Sequence, residues 1–430
     1  MWKGQRPNPI WLLSLLLSGM YLSAACSPQT PQPTRAVAAA ASSPVIQLAS
    51  ADVGLPAADP LPTAIPATFT AIPVVSPEHQ ENGLLLQPTL IPTMTPILPT
   101  RTPEPTATQP ATQTPTPYVF VLPVLPPSTE LGPSKLGLHV VRNNNPGIME
   151  FVRQTQPAIM KAVDDIGFLE EVKSVSPKTI TVARVSVESQ DYTGNPEEEA
   201  RDFVAQNLEI YQKNPSVDFW EGWNEPDPNR QYMSWYARFE QERTRQMARY
   251  GFKAAIGGFA TGVPELDEFR MFLPAIETAA EYGAVLSLHE YGAPVMTYLY
   301  GDPLPGYPAY PDRGSLTFRY RWFYREVIEP AGLLIPLVIT EAGIDGIIGD
   351  RPGPPGLGWK DFQGYWVRQG IADSGIQAFL DQLAWYDAGV RKDGYVIGFT
   401  VFTAGGFGYW EKYDINPILD ELTGYVLSQR

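Results

Sequence analysis

The stretch Trp220-Glu221-Gly222-Trp223-Asn224-Glu225-Pro226-Asp227 follows the apolar-flanked Val217-Asp218-Phe219 and reads as a buried strand breaking into a loop. Pro226 has no N–H to give a sheet, so the strand ends just after Asn224-Glu225. Strand alternation sets Phe219, Glu221, Trp223 and nominally Glu225 on one face. Carboxylates beside an amide and two indoles at a strand mouth mark this stretch as the place to look for chemistry.

Outward from this stretch the chain divides in two. Roughly half of the 45 prolines lie before residue 135, and no helical or strand period is sustained there. Residues 27–135 read as a disordered Pro/Thr/Ser/Ala-rich stalk, too poor in apolar area to offset its ordering entropy. From Leu136 the pattern changes to short apolar runs separated by longer amphipathic ones. The runs are Leu136–Val141, Ala158–Val163, Thr179–Ser186, Val217–Trp223, Ala254–Phe259, Ala284–His289, Pro336–Thr340 and Tyr395–Phe402. Helices are expected at Pro196–Gln212, Arg230–Tyr250, Pro264–Tyr282, Leu316–Ile328 and Asp361–Ala388. Val/Ile-rich strands without polar alternation are buried on both faces, as in a parallel sheet. Eight of them alternating with helices predict an α/β fold, a (β/α)₈ TIM barrel over 136–430 with its site at the carboxyl ends of the strands. A doubly wound open sheet is the runner-up, but no Gly-x-Gly-x-x-Gly follows the first strand.

Of the charged residues, only Lys3, Arg6, Arg35 and Arg101, and Asp52, Asp59, Glu78, Glu81, Glu104 and Glu130, lie before Lys135. Most of the formal charge of -15 therefore belongs to the barrel region, which repels phosphate backbones and argues against a nucleic-acid partner. One cysteine, Cys26, excludes an internal disulfide framework and a cysteine-ligated metal. Only His139 and His289 lie in the barrel region, too few for a His-rich metal site, and no Gly-x-Ser-x-Gly elbow presents a serine. Neither metal nor cofactor is expected.

The strand ends offer His139, Lys161, Arg184, Asn224 with Glu225, His289-Glu290-Tyr291, and Glu341. Glutamates at the mouths of strands four and seven face each other across a barrel, the pairing a retaining glycosidase needs. Glu221, two residues behind the mouth, reads as an interior carboxylate satisfied by Arg184 or Lys161. Trp220, Trp322, Trp366 and Trp385 read as core. Tyr298, Tyr300, Tyr307, Tyr310 and Trp359 lie in loops and are expected either to stack sugars or to pack their own loops.

Trp223-Asn224-Glu225-Pro226, His289-Glu290-Tyr291 and Ile339-Thr340-Glu341-Ala342-Gly343 together resemble clan A glycoside hydrolases, families 39 and 5 being nearest in flavour. The similarity spans essentially all of residues 136–430 and none of the stalk. It implies Glu225 as general acid/base, Glu341 as nucleophile, and Asn224 as donor to the sugar 2-hydroxyl. Tyr291 would hydrogen-bond the nucleophile, His289 would line the subsite and Arg184 would hold the nucleophile ionised. Trp223, as an apolar neighbour, would raise the carboxyl pKa of Glu225 by desolvation. Many relatives place a tryptophan at the end of strand eight; here Phe402 or Trp410 must floor the subsite.

Lys3 and Arg6 before the apolar run Ile10–Leu17, and Leu22-Ser23-Ala24-Ala25-Cys26, resemble a bacterial lipoprotein signal over residues 1–26, with Ser23 departing from the usual residue. Lipidation at Cys26 is expected, a cleaved secretory signal or uncleaved anchor being the alternatives. The expected protein is exported and lipid-anchored to the outer face of a bacterial membrane. There, as a monomer, it would cleave an oligo- or polysaccharide, with a β linkage expected from the clan. A transglycosylase using the same glutamates, a non-catalytic carbohydrate-binding lipoprotein and an envelope scaffold are the rivals.

Overall fold

The computed structural model describes residues 131–187 and 189–430. The signal, Cys26 and all but the end of the stalk lie outside them. Eight strands close into one parallel barrel in sequence order: β1 (Leu136–Val140), β2 (Ile159–Val163), β3 (Ile180–Arg184), β4 (Phe219–Glu221), β5 (Ala254–Phe259), β6 (Val285–Gly292), β7 (Leu337–Ile344) and β8 (Val396–Ala404). β8 pairs with β1, so the open-sheet alternative is excluded. Each expected run overlaps its strand; β4 is three residues long, and β6, β7 and β8 continue past the expected ends.

The helices are α1 (Pro146–Thr155), α2 (Leu169–Val175), α3 (Pro196–Lys213), α4 (Asn229–Arg249), α5 (Leu266–Met271), α6 (Leu273–Tyr282), α7 (Tyr320–Phe323), α8 (Trp359–Arg368), α9 (Gly375–Val390) and α10 (Leu419–Ser428). Asn145 and Asn195 cap α1 and α3 with their side-chain oxygens, each followed by proline at the first helical position. Three expected helices are corrected. Pro274 cannot donate to the preceding turn, so Pro264–Tyr282 divides at Phe272 into α5 and α6. Gly370, in the left-handed region, and the new cap at Ser374 divide Asp361–Ala388 into α8 and α9. Leu316–Ile328 is helical only from Tyr320, where α7 runs directly into a π-helical turn, Tyr324–Ile328.

The last correction has a visible cause. Glu290, on the outer face of β6, accepts the N–H groups of Phe318 and Tyr320 at 2.7 and 2.9 Å and the Tyr386 hydroxyl at 2.6 Å. The carboxylate thus receives the segment entering α7. Burial pushes its pKa from 4.5 up to about 7, against these three donors and Arg321. Between pH 4.5 and 7 the folded carboxyl keeps a proton that the unfolded chain releases, so wild-type stability falls as pH rises through that window. Glu290→Gln lacks this titration. Its stability relative to wild type, from urea melts, is expected to improve by about 3 kcal/mol across the window; a constant difference would contradict this.

Inside the barrel, Ile159, Val182, Phe219, Ala255, Val285 and Val338 form an apolar cluster at the amino-terminal end of the strands. Two residues further on, the same strand faces carry Lys161, Arg184, Glu221, Ser287 and Thr340. An apolar plug therefore underlies a polar layer, and the mouth lies above both.

Candidate active site

Glu221 lies in the polar layer as a buried interior carboxylate, as its place two residues behind the mouth predicts. Its Oε1 accepts Ser287 Oγ at 2.5 Å and Thr340 Oγ1 at 2.6 Å. Its Oε2 pairs with Lys161 Nζ at 2.8 Å and with Arg184 Nη1 at 3.7 Å. Burial alone would raise its pKa, but Lys161 and Arg184 outweigh it and hold Glu221 ionised, down to about 2.

Glu341 arrives beside it through an irregularity. Leu288 pairs with Ile339 but His289 with Glu341, so Thr340 is an extra residue in β7. With this bulge, Thr340 and Glu341 both turn into the barrel, one to Glu221 and the other to the mouth. Glu341 Oε1 is 3.0 Å from Lys161 Nζ, 3.2 Å from Arg184 Nη1 and 3.5 Å from His139 Nε2. Its Oε2 accepts the Tyr291 hydroxyl at 2.8 Å and lies 3.5 Å from His289 Nδ1. Burial pushes Glu341 up, but His289, Lys161 and His139 reverse the sign and hold it well below the usual carboxylate range. Burial holds His139 neutral to about pH 4, with Nδ1 2.7 Å from Thr403 Oγ1.

Glu225 reaches the mouth by a different route. β4 stops at Glu221, and Glu225 has φ 47°, so strand alternation does not extend to it. Its N–H donates to the Gly258 carbonyl at 3.0 Å. Gly258, itself at φ 60°, is the extra residue of a second bulge, in β5. A Cβ there would stand 2.8 Å from the Trp223 carbonyl, so only glycine lets the turn dock. Arg243 of α4 braces the same region, donating to the carbonyls of Trp220 at 3.2 Å and Ala255 at 2.7 Å. The Glu225 side chain remains 36% exposed, open to solvent and ligand, and its Oε1 lies 2.8 Å from His289 Nδ1.

Ligand atoms of Glu225, His289 and Glu341 lie within 4.8 Å of one another. Three such donors could hold a divalent ion. Lys161 and Arg184 already spend the charge of Glu341 Oε1, however, so the set suits a cation poorly.

The structure gathers Arg184, His289, Tyr291, Glu225 and Glu341 at one point. Asn224 is exposed at the rim beside them. Phe402 lies between His139, at 4.7 Å centroid to centroid, and Tyr291, at 6.2 Å, with the half-exposed Trp410 edge-on to it at 5.2 Å. Both aromatics proposed for the floor are thus adjacent. Trp223 is a correction. It is buried and stacks on Trp235 and Tyr236 of α4, and Glu225 meets the imidazole of His289 instead. β4 is too short for its alternation to carry Trp223 inward.

Of the loop aromatics, Tyr298, Tyr300, Tyr307 and Tyr310 stay half-buried, and local packing is seen at four of the five rings. Tyr307 and Tyr310 pack edge-on against Trp322, Tyr300 against Trp385, and Trp359 is buried flat on Phe379. Lys161 joins the site from the middle of β2, paired with both Glu221 and Glu341. Its signal was a charge in the otherwise apolar Ile-Met-Lys-Ala-Val of β2. Lys161→Met leaves two buried carboxylates sharing Arg184 and is expected to destabilise the fold by about 3–5 kcal/mol in urea melts.

No family model matches the chain, and no curated protein matches it. Among solved structures, a GH5-4 broad specificity endoglucanase from an uncultured bacterium is similar at 8% identity, over 73% of this chain and 97% of that one, with TM-score 0.38. XacCel5A in complex with cellopentaose gives 10% identity over 68% and 99%, TM-score 0.36. Saccharomyces cerevisiae Gas2p with laminaritetraose and laminaripentaose gives 10% over 70% and 64%, TM-score 0.37.

Proposed function

We propose that the barrel is a retaining glycoside hydrolase acting on an extracellular or envelope polysaccharide, carried outside the cell on a lipid anchor at Cys26. The observation that supports this reading most is the spacing of the Glu225 and Glu341 carboxylates, with oxygens within 4.8 Å. Retaining enzymes need about 5–5.5 Å between the two carboxyl groups and inverting ones about 6.5–9.5 Å, which leaves room for a water.

The unequal surroundings assign the roles. Glu341 is ionised by His289, 3.5 Å from Oε2, and by Lys161 and Arg184 on Oε1, while the one hydrogen bond on Oε2, from Tyr291, leaves it a lone pair for attack. Glu225 is open to the leaving group and to water. In the first step its proton passes to the glycosidic oxygen as that oxygen leaves with the bonding electrons, and Glu341 Oε2 bonds to the anomeric carbon. In the second, Glu225 takes a proton from water and the water oxygen attacks the same carbon. The ester bond to Glu341 then breaks, returning its electron pair to the carboxylate. Asn224 at the rim donates to the 2-hydroxyl, and Phe402 with Trp410 floors the subsite. A sugar hydroxyl in place of water makes the same intermediate a transglycosylation.

Proton NMR of the first-formed sugar from a panel of aryl β-glycosides tests this. The β anomer is expected, and the α anomer would overturn it. Products formed at high acceptor concentration separate hydrolysis from transfer.

A further inference from the structure

Asp345 is the first residue beyond β7, four past Glu341 and of the same strand parity. Its N–H donates to the carbonyl of Gly292, the residue after Tyr291, at 3.3 Å. On the other side its Oδ1 accepts the Tyr413 hydroxyl at 2.8 Å and the Ile347 N–H at 3.2 Å. Tyr413 packs with Phe402 and Tyr291, and Tyr291 bonds Glu341. An unbroken chain of contacts thus ties Asp345 to the nucleophile along the wall made by β6, β7 and β8. Both bonds that orient the carboxylate fall on Oδ1, so Oδ2, with no hydrogen-bond partner among the described residues, is left for a further donor. Burial pushes this half-buried carboxyl up to about 6, so it is charged at neutral pH and above.

The cations nearby already have partners. Lys161 and Arg184 serve Glu221 and Glu341 beneath the mouth. Arg351, in the loop that Asp345 opens, donates to the carbonyls of Gly346, Pro352 and Pro354, and its charge is attracted to Asp345 itself. His139 is held neutral by burial above about pH 4.

We propose that Asp345 is a specificity-determining residue, whose open oxygen accepts a hydroxyl of a neutral sugar in the cleavage region and whose charge rejects uronic acids. This rests on the glycosidase reading of the same site. A neutral sugar supplies the O–H donor that an acceptor-only carboxylate needs. A uronate would bring a carboxylate to a wall that already carries Glu225, Glu341 and Asp345, where it would compete with them for Arg351 and His289.

The test uses three matched pairs of 4-nitrophenyl β-glycosides: glucoside with glucuronide, galactoside with galacturonide, mannoside with mannuronide. Within each pair only the C6 group differs. Turnover is measured on the full chain. Binding is measured separately by calorimetry on Glu341→Gln and on that variant combined with Asp345→Asn. At least one neutral member is expected to bind, and its uronide at least tenfold more weakly. Asp345→Asn is expected to weaken the neutral sugar roughly ten- to a hundredfold and to shrink the neutral-to-uronide ratio. A merely structural role for Asp345 would leave that ratio unmoved. Equal binding within every pair, a ratio unchanged in Asp345→Asn, or no binding of any member overturns the assignment. Discriminating binding without turnover would sink the glycosidase reading and leave the role of Asp345 standing.

Discussion

Glu341→Gln is expected to lower kcat by on the order of 10⁴-fold or more, with circular dichroism unchanged. An amide of the same shape fits the site and still accepts the Tyr291 hydroxyl, but it cannot form the ester. Lys161 and Arg184 keep Glu221 as counter-ion, so the charge lost from Glu341 does not strand them. Activity within tenfold of wild type would remove Glu341 as nucleophile. Glu221→Gln makes the informative contrast. Glu221 is locked by Ser287 and Thr340 beneath the mouth, so its replacement acts through Lys161 and Arg184 without deleting a reacting group.

The second large effect is expected at Glu225. Glu225→Ala removes the acid and the base together, and should cost about 10²–10⁴-fold on substrates whose leaving group needs a proton. A dinitrophenyl glycoside needs none. With that substrate the first step is expected to survive and the second to stall, giving a burst followed by slow turnover. Azide, which attacks without base assistance, should restore the rate and yield the β-glycosyl azide. Equal losses on both substrates with no azide effect would mean that Glu225 only binds. The same pair of substrates tests whether His289, 2.8 Å from Glu225, carries protons itself. His289→Asn should then show the leaving-group dependence, and a positioning role would not.

Much of this site was legible because its chemistry lies at strand ends, and buried parallel strands announce themselves as apolar runs. Asn224-Glu225 and Glu341 could be placed at facing strand ends of one mouth from spacing alone. The geometry within the mouth was harder to read, because it comes from departures from regular structure. Two bulges, at Gly258 and Thr340, and a left-handed Glu225 bring the carboxylates into register. Strict period-two alternation sends Trp223 inward, whereas it packs outward on α4. The helices failed where one polar residue overrode a long amphipathic pattern, as at Pro274, or where a distant side chain set the start, as Glu290 does for α7. Lys161 was visible as a charge in an apolar strand. Which carboxylate it served was not, because it serves both.

Covalent trapping examines the pairing of acids most directly. The full chain is incubated with 2-deoxy-2-fluoro-β-glycosyl fluorides chosen from the sugars it turns over, then digested and sequenced by mass spectrometry. A single fluoroglycosyl adduct on Glu341 is the result expected here. An adduct on Glu225 or Glu221, or none at all alongside an inverted product, would contradict the assignment of Glu341 as the group that meets the anomeric carbon.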